Sequence, residues 1–219
     1  MSNFIVHSIP GSPFGRAVLA TLEEKGAAYS LSPVASGTFR SQPHLSRHPF
    51  GRVPVLENDG FLLYETQAIL RYLDRVLPVP GLTPVDPKAA ARMDQVMNIA
   101  DWYLFQGVCS VVGFQRVIAP RLLGLATDEA AILEAMPKAH LVFGELARLL
   151  GDQAYFAGDA VSLADLLVAP HLDFLVETPE WAPLSATTPN LVAWLERMAA
   201  RPSLQATTWS RVSAMAQAA

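Results

Sequence analysis

Residues 53–66 read VPVLENDGFLLYET, and they determine the strand and helix pattern of the first part of the chain. The apolar run Val53 to Leu56 predicts a strand, although it contains a proline. Asn58-Asp59-Gly60 is typical of a tight turn between antiparallel strands, and Phe61 to Tyr64 predicts the returning strand. Apolar residues at helical spacing then predict a helix from Thr66 to about Val76. This stretch therefore predicts a β-hairpin that leads directly into a helix.

The residues before the hairpin predict two more strands with a helix between them. Phe4 to His7 is rich in strand-forming residues, and Tyr29 to Leu31 gives a weaker strand pattern. Between them, Phe14 to Lys25 carries apolar residues at helical spacing, and Gly26 is suited to end that helix. Together with the hairpin, these elements predict an α/β domain over residues 1–79.

A cluster of prolines marks the end of this domain. Four prolines and Gly81 fall between Pro78 and Pro87, where both helix and strand are hard to sustain. We therefore predict a linker over residues 80–88. Residues 89–219 show helical periodicity without a comparable strand pattern, which predicts an all-α bundle. The predicted helical segments are Lys88 to Ile118, Asp128 to Leu150, Leu163 to Val176 and Leu191 to Ala200.

The composition indicates a folded globular protein and excludes several functions. The 219 residues are 51% hydrophobic and 16% charged, with a net charge of −4 and no basic run suited to nucleic acid. No apolar stretch reaches the ~20 residues of a membrane helix, and the N-terminal residues lack a signal-peptide pattern, so we expect a cytoplasmic protein. Residues 1–80 carry seven basic and six acidic groups, against nine and fourteen in residues 81–219. The first domain is therefore better suited to a negatively charged ligand.

Ser12 is the first candidate binding residue, because it stands between Gly11 and Pro13 where the first helix pattern begins. Serine followed by proline is a common helix start, in which the hydroxyl caps the helix. The same position lets the hydroxyl donate a hydrogen bond to an anion above the helix N-terminus. The sequence leaves both roles open.

Two further candidate patterns lie at the ends of the hairpin. The Val53-Pro54 pair indicates either an edge strand or a cis peptide bond, and the latter would turn the Val53 backbone outward to pair with an extended ligand. Thr66 is predicted to cap the following helix, with Glu65 just outside it. A helix N-terminus beside a carboxylate also suits a zwitterion, whose carboxylate would lie at Thr66 and whose ammonium would lie at Glu65.

Patterns for metal binding and for other catalytic chemistry are weak. His44 and His48 have the spacing of helical metal ligands, but Pro43 and Pro49 argue against a helix there, so we predict no metal site. Cys109 is the single cysteine, and its apolar surroundings predict burial instead of reactivity. The sequence contains no phosphate-binding glycine loop and no hydrolase elbow motif.

Taken together, these residues resemble the cytosolic glutathione transferases, in particular the serine-type, phi-like enzymes of bacteria or plants, over nearly the whole chain. Pro10 to Phe14, with Leu22 to Gly26, is similar to their first loop and helix. His48 to Leu56 is similar to their Asn-Pro-Phe-Gly-Gln-Val-Pro segment, and Glu65-Thr66 stands where they have Glu-Ser. Further similar segments are Leu122 to Leu125, Thr127 to Ala131 and Val161 to Leu166. The resemblance implies a thioredoxin-like first domain, a helical second domain, glutathione as co-substrate and a homodimer.

The resemblance also implies roles for individual residues. Ser12 would hold the glutathione thiolate as a hydrogen-bond donor. The residues implied to bind the rest of glutathione are Arg40, Arg52, Val53, Pro54, Glu65 and Thr66. Arg52 departs from the family pattern by replacing glutamine, and His48 departs from it by replacing asparagine.

A small hydrophobic electrophile would need an apolar wall beside the sulfur. The residues implied for that wall are Phe14, Phe105, Val112 and Arg116, although the same helical spacing also fits a protein core. The implied activity is conjugation of glutathione to such electrophiles in detoxification. A non-catalytic binding or interaction module of the same fold, and a glutathione-dependent peroxidase or dehalogenase, are the alternatives that the sequence leaves open.

Overall fold

A computed structural model of the protein describes residues 3–35 and 37–219, and its contacts divide the chain into two units. The first unit contains the residues up to Leu82 together with Ala200–Ala219, and the second is Thr83–Ala199. The change at Leu82 lies within the predicted linker. The segment from Ala200 onward, predicted as part of the helical domain, instead groups with the first unit.

The first unit contains a four-stranded mixed sheet in the order β2-β1-β3-β4. Strand β1 pairs in parallel with β2 and antiparallel with β3, and β3 pairs antiparallel with β4. The strands are β1 Phe4–Ser8, β2 Tyr29–Pro33, β3 Val55–Asn58 and β4 Phe61–Tyr64. Asp59 and Gly60, both with positive φ, form the two-residue turn between β3 and β4. The predicted α/β fold and its hairpin are confirmed, although β3 begins two residues later than predicted.

The helices of the first unit are α1 Pro13–Glu24, α2 His44–Arg47, α3 Thr66–Val76, α10 Pro202–Ala206 and α11 Trp209–Ala218. Helix α1 contacts both α3 and α10. Near α10, the Arg201 guanidinium donates to both oxygens of Glu24 at 2.7 and 2.8 Å, and Ser203 Oγ donates to the same carboxylate at 2.5 Å. Arg16 Nη2 donates to the Leu204 carbonyl at 3.1 Å. These bonds hold the C-terminal segment against α1.

Among the described residues, the regular elements of the second unit are all helices. Its helices are α4 Pro87–Ile99, a π-helix Ala100–Ile118, α5 Ala119–Leu122, α6 Glu129–Leu150, α7 Leu163–Val176, α8 Trp181–Ser185 and α9 Pro189–Ala199. The predicted segment from Lys88 to Ile118 therefore has an α-helical first part and a π-helical second part. Residues 100–118 are apolar on several sides, so their pattern does not fix the number of residues in each turn. No helix in the part of the chain that the structure describes is long and apolar enough to cross a membrane.

Helix α7 starts at a fully satisfied capping box. The buried Asp165 carboxylate accepts from the backbone N–H of Ser162 at 2.9 Å and from that of Phe156 at 3.0 Å. It also accepts from the Ser162 hydroxyl at 2.6 Å and from Trp194 Nε1 at 2.9 Å. These four bonds join the start of α7 to the preceding loop and to α9.

Candidate functional site

Ser12 caps helix α1 and retains a free donor. Its Oγ accepts from the backbone N–H of Gly15 at 3.1 Å, and Pro13 occupies the first helical position. A hydroxyl that accepts through its oxygen can still donate through its hydrogen. Ser12 is only partly buried, and no described residue accepts its O–H. Capping α1 and donating to an anion above it are therefore compatible roles.

Two glycines allow close packing on both sides of Ser12. Gly11 has a φ of +81°, and a Cβ added to it would lie 2.7 Å from Cζ2 of Trp209, in α11. A Cβ on Gly15 would lie 2.0 Å from Oγ of Ser8, at the end of β1. The loop and first turn around Ser12 are therefore held between the last helix and the first strand. Trp209 is a contact residue of this loop that the sequence analysis missed.

The Val53-Pro54 peptide bond is cis, which agrees with the second of the two predicted explanations. The edge-strand explanation is wrong, because β3 begins at Val55 and lies between β1 and β4. Val53 thus precedes the strand, and none of the described residues pairs with its backbone. An extended ligand has a backbone edge available to it at this position.

Glu65, and not Thr66, is the N-cap residue of α3, so the predicted assignment of the cap is wrong. Glu65 has φ 70° and ψ 110°, and its side chain makes no capping hydrogen bond. A positive φ is rare and strained for a residue with a Cβ, and such strain is often found at functional sites. Thr66 is the first helical residue and is 8% exposed. The arrangement leaves an exposed Glu65 carboxylate beside the N-terminus of α3.

Arg40 and Arg52 lie on loops that touch each other. A Cβ added to Gly51 would lie 2.7 Å from the Phe39 carbonyl oxygen and 3.1 Å from Cγ of Arg40. Both arginine side chains are exposed. Arginine recognises carboxylates through paired N–H donors, so these loops offer cations to a carboxylate close to Val53.

His44 and His48 are buried, with exposed fractions of 3% and 2%. Both form hydrogen bonds to the backbone of the segment that leads to Val53. His44 lies in helix α2, so the inference from the flanking prolines that no helix forms there is wrong. Its Nε2 hydrogen-bonds to the Arg52 carbonyl at 2.8 Å, while His48 Nδ1 accepts from the Phe50 N–H at 3.3 Å. No described group of three His, Cys, Asp or Glu residues is arranged to hold a metal ion.

The four residues implied for an electrophile wall have different surroundings. Phe14 is half-buried in the first unit. In the second unit, the half-buried Phe105 packs edge-on against His171, with ring centroids 5.7 Å apart, while Val112 is 0% exposed and belongs to the core. Arg116 is fully engaged by Glu180 and Glu129, at distances of 2.6 to 3.1 Å. These two carboxylates raise the pKa of Arg116. The wall role stays a prediction for all four residues, although the burial of Val112 and the ion pairs of Arg116 also fit a structural role.

Two successive parts of the chain each match a known domain family. Residues 2–75 match the family described as "Glutathione S-transferase, N-terminal domain", and residues 90–202 match "Glutathione S-transferase, C-terminal domain". A glutathione S-transferase of Hyoscyamus muticus is 34% identical over 210 residues, which cover 94% of this chain and 95% of that protein. Glutathione S-transferase F14 of Arabidopsis thaliana is 37% identical over 194 residues, covering 85% of this chain and 76% of the relative.

Solved structures of glutathione transferases have the same fold as this chain. Glutathione transferase F7 of Populus trichocarpa superposes with a TM-score of 0.84 at 28% identity, covering 97% of this chain and 99% of its own. A glutathione S-transferase-I bound with lactoylglutathione superposes with a TM-score of 0.83 at 29% identity and the same coverage. The fold is thus a thioredoxin-like domain joined to a helical domain. The chain belongs to the glutathione S-transferase family, a family of transferases, and has F-type plant relatives.

Proposed function

We propose that the protein conjugates glutathione to small hydrophobic electrophiles, with Ser12 stabilising the glutathione thiolate. The observation that supports this role best is the free O–H of Ser12 at the N-terminus of α1. In the reaction, the thiol releases its proton to solvent and the sulfur lone pair forms a bond to the electrophilic carbon. The bond from that carbon to its leaving group breaks, and a chloroarene would release chloride. Ser12 acts as a donor only, neither as base nor as nucleophile.

The charged groups and the peptide backbone of glutathione each have a matching polar feature in the first unit. Its glycine carboxylate binds Arg40 and Arg52, and the backbone of its cysteinyl residue pairs with Val53 beside Pro54. Its γ-glutamyl ammonium binds the Glu65 carboxylate, while the neighbouring carboxylate lies over the N-terminus of α3 at Thr66. This orientation directs the cysteinyl sulfur to Ser12.

The energies are sufficient for the proposed role. A thiol with an ordinary pKa of about 8.5 is mostly protonated at neutral pH, and the thiolate is the nucleophile. A hydrogen bond to a charged acceptor contributes about 1.5–3 kcal/mol, and a helix N-terminus adds about 0.3–1 kcal/mol. At 1.36 kcal/mol for each unit, roughly 2–4 kcal/mol lowers the thiol pKa by about 1.5–3 units. The thiolate then becomes the major form at neutral pH.

Ultraviolet difference titration of bound glutathione tests this proposal. In Ser12→Ala, the thiolate absorbance should appear at a pH about one unit or more higher than in the wild-type protein, because the donor is gone. Since the substitution also removes a helix cap, Asp128→Ala is the matched control. Asp128 caps α6 by accepting from the Ala131 N–H at 3.0 Å, and α6 lies in the second unit. An unchanged titration midpoint in Ser12→Ala would remove Ser12 from the mechanism.

A non-catalytic glutathione-binding or interaction module is the second candidate function. The observation in its favour is the capping bond from Gly15 to Ser12, which gives the serine a structural role without any chemistry. Calorimetry with glutathione and a panel of electrophiles separates the two functions. Binding without thiolate absorbance and without conjugation would favour the module, whereas turnover of peroxides or haloalkanes would indicate peroxidase or dehalogenase chemistry at the same site. The homodimer stays a prediction, which light scattering of the purified protein tests.

A further inference from the structure

The His48 ring lies at the meeting point of the loops assigned to glutathione. It is 2% exposed and stacks on Tyr64 with ring centroids 4.7 Å apart. Phe50 packs edge-on against it at 6.1 Å, and the His44 ring lies 6.4 Å away. Tyr64 directly precedes Glu65 in the chain. His48 therefore packs between the segment that ends at Val53 and the segment that presents Glu65.

Two histidine bonds fix the backbone that leads to Val53. His48 Nδ1 accepts from the Phe50 N–H, so the neutral ring carries its hydrogen on Nε2. His44 Nε2 donates to the Arg52 carbonyl, so it also carries its hydrogen on Nε2. Gly51 lies between these two anchored residues and turns with a φ of +61°. The bonds hold both sides of that turn, immediately before the residue assigned to the cysteinyl backbone.

We propose that the neutral His48 ring is a positioning residue for glutathione, and that protonation of this ring weakens glutathione binding. This inference rests on the proposed function, because it assigns Val53 and Glu65 to the ligand. His48 touches no reacting atom in this scheme. It acts through the backbone of residues 50–53 and through the charge that it places beside Glu65.

Protonation of His48 would change both its contact with the backbone and the charge that it places beside Glu65. An imidazolium has no lone pair on Nδ1, so the bond from the Phe50 N–H is lost and two N–H groups face each other. The new cation also interacts with Glu65, the carboxylate that the ligand's ammonium requires. The first effect disturbs the backbone that leads to Val53, the second weakens the binding of the ligand's ammonium to Glu65, and both are absent while the ring is neutral.

The surroundings of His48 keep it neutral near pH 7. Burial lowers the pKa of His48, Glu65 opposes this, and the nearby His44 and Arg52 lower it further, so the pKa lies below the ordinary 6.5. Tyr64 is a further titratable group among the described residues that packs against the ring. Because the ligand prefers the neutral ring, glutathione affinity is full above pH 6.5 and falls as the pH decreases through the pKa of His48. By linkage, bound ligand must lower that pKa further.

His48→Asn is the informative variant. Asn Oδ1 and His Nδ1 are both attached to Cγ, so the amide can accept from the Phe50 N–H, yet it does not titrate. His48→Leu removes the acceptor altogether. The probe is S-methylglutathione, which has no thiol to titrate, and its Kd is measured by calorimetry between pH 7.5 and 5. Unmodified glutathione at pH 7.5 is measured in parallel.

The expected result is a Kd that rises several-fold toward pH 5 in the wild-type protein, since a ligand that lowers the pKa of His48 by about one unit raises Kd by at most about tenfold, once the pH is below both pKa values. His48→Asn should match the wild-type Kd at pH 7.5 and stay nearly constant toward acid, and His48→Leu should bind weakly throughout. An equal acid loss in wild type and His48→Asn would assign the effect to a group other than His48 and overturn this inference alone. Failure of both ligands to bind at pH 7.5 would overturn the proposed function and this inference with it.

A second measurement follows the titration of His48 directly in the wild-type protein. The Cε1 proton of His48 is followed by NMR in the wild-type protein and identified by its absence from His48→Asn. The inference requires a pKa for His48 that is lower with S-methylglutathione bound than without it. An unchanged or higher pKa in the complex would contradict it.

Discussion

Ser12 and Ser162 both precede helices, but their environments differ. The Ser162 hydroxyl is 1% exposed and donates to the buried Asp165, whose carboxylate accepts four hydrogen bonds in total. Ser12 is only partly buried and caps through its oxygen, which leaves its hydrogen unused by the described residues. A helix start whose polar atoms are all paired within the protein is available for stability only. A helix start with a spare donor that faces outward can bind a ligand.

The largest loss of stability is expected at Asp165, because all of its hydrogen-bond partners are buried. Asp165→Ala should lower the free energy of unfolding by about 3–5 kcal/mol, because it leaves several buried donors without an acceptor. Urea denaturation followed by circular dichroism measures this loss. Asp128→Ala is the matched control, since it also removes a cap carboxylate, but an exposed one, and should cost about 1 kcal/mol. Equal losses in the two variants would contradict the distinction drawn between buried and exposed caps.

A smaller loss is expected at the glycine beside Ser12. Gly11→Ala should lower the free energy of unfolding by about 2 kcal/mol, because it combines a strained φ of +81° with an overlap against Trp209. Gly26→Ala is the control, since its φ is +60° but no atom lies within 4 Å of its Cβ position, and about 1 kcal/mol is expected. In the double variant Gly11→Ala with Trp209→Ala, the combined loss should be less than the sum of the single losses. Additive losses would show that overlap with the Trp209 indole does not contribute to the loss in Gly11→Ala.

The bonds between α1 and the C-terminal segment predict a dependence on pH. Burial raises the pKa of Glu24, but hydrogen bonds from Arg201 and Ser203 outweigh it and hold the pKa below its ordinary 4.5. A carboxyl whose pKa is lowered by folding contributes stability above its unfolded pKa, and that contribution is lost as the pH falls through the folded value. Relative to wild type, Glu24→Gln should therefore cost about 1–2 kcal/mol at pH 7 and progressively less below pH 4.5. A constant difference from pH 7 to pH 3 would contradict this assignment.

Much of the fold follows from local patterns in the sequence, whereas its exceptions depend on contacts between distant segments. Helix α7 has the predicted bounds because Ser162 and Asp165 mark its start in the residue types themselves. Helix α2 is a single turn, too short to show a periodic pattern. The packing of residues 200–219 against α1 depends on pairs such as Arg201 with Glu24, which are far apart in sequence. Residue spacing within one segment carries no information about such pairs.

In the candidate site, too, some features follow from local sequence patterns and others depend on the fold. Ser12 was identified because a cap followed by proline is a local signal, but the positive φ of Glu65 is not encoded in its residue type, so the cap of α3 was placed one residue too late. Val112 and Arg116 could not be separated from Phe105 by spacing alone. Only their neighbours in the fold show that the valine is core and that the arginine is held by two carboxylates.

The smallest change in stability is expected for Ser12, and a comparison with Ser162 separates the roles of the two serines. Ser12→Ala should lower the free energy of unfolding by about 1 kcal/mol, since it loses one capping bond, whereas Ser162→Ala should lower it by about 1.5–2 kcal/mol, because its hydroxyl also donates to the buried Asp165 carboxylate. Conjugation of an activated chloroarene at neutral pH should decrease about tenfold or more in Ser12→Ala, because the lost thiolate stabilisation is at least about 1.5 kcal/mol. In Ser162→Ala the rate should stay at the wild-type value. Equal rate losses in both variants would mean that Ser12 affects catalysis only through the stability of its helix.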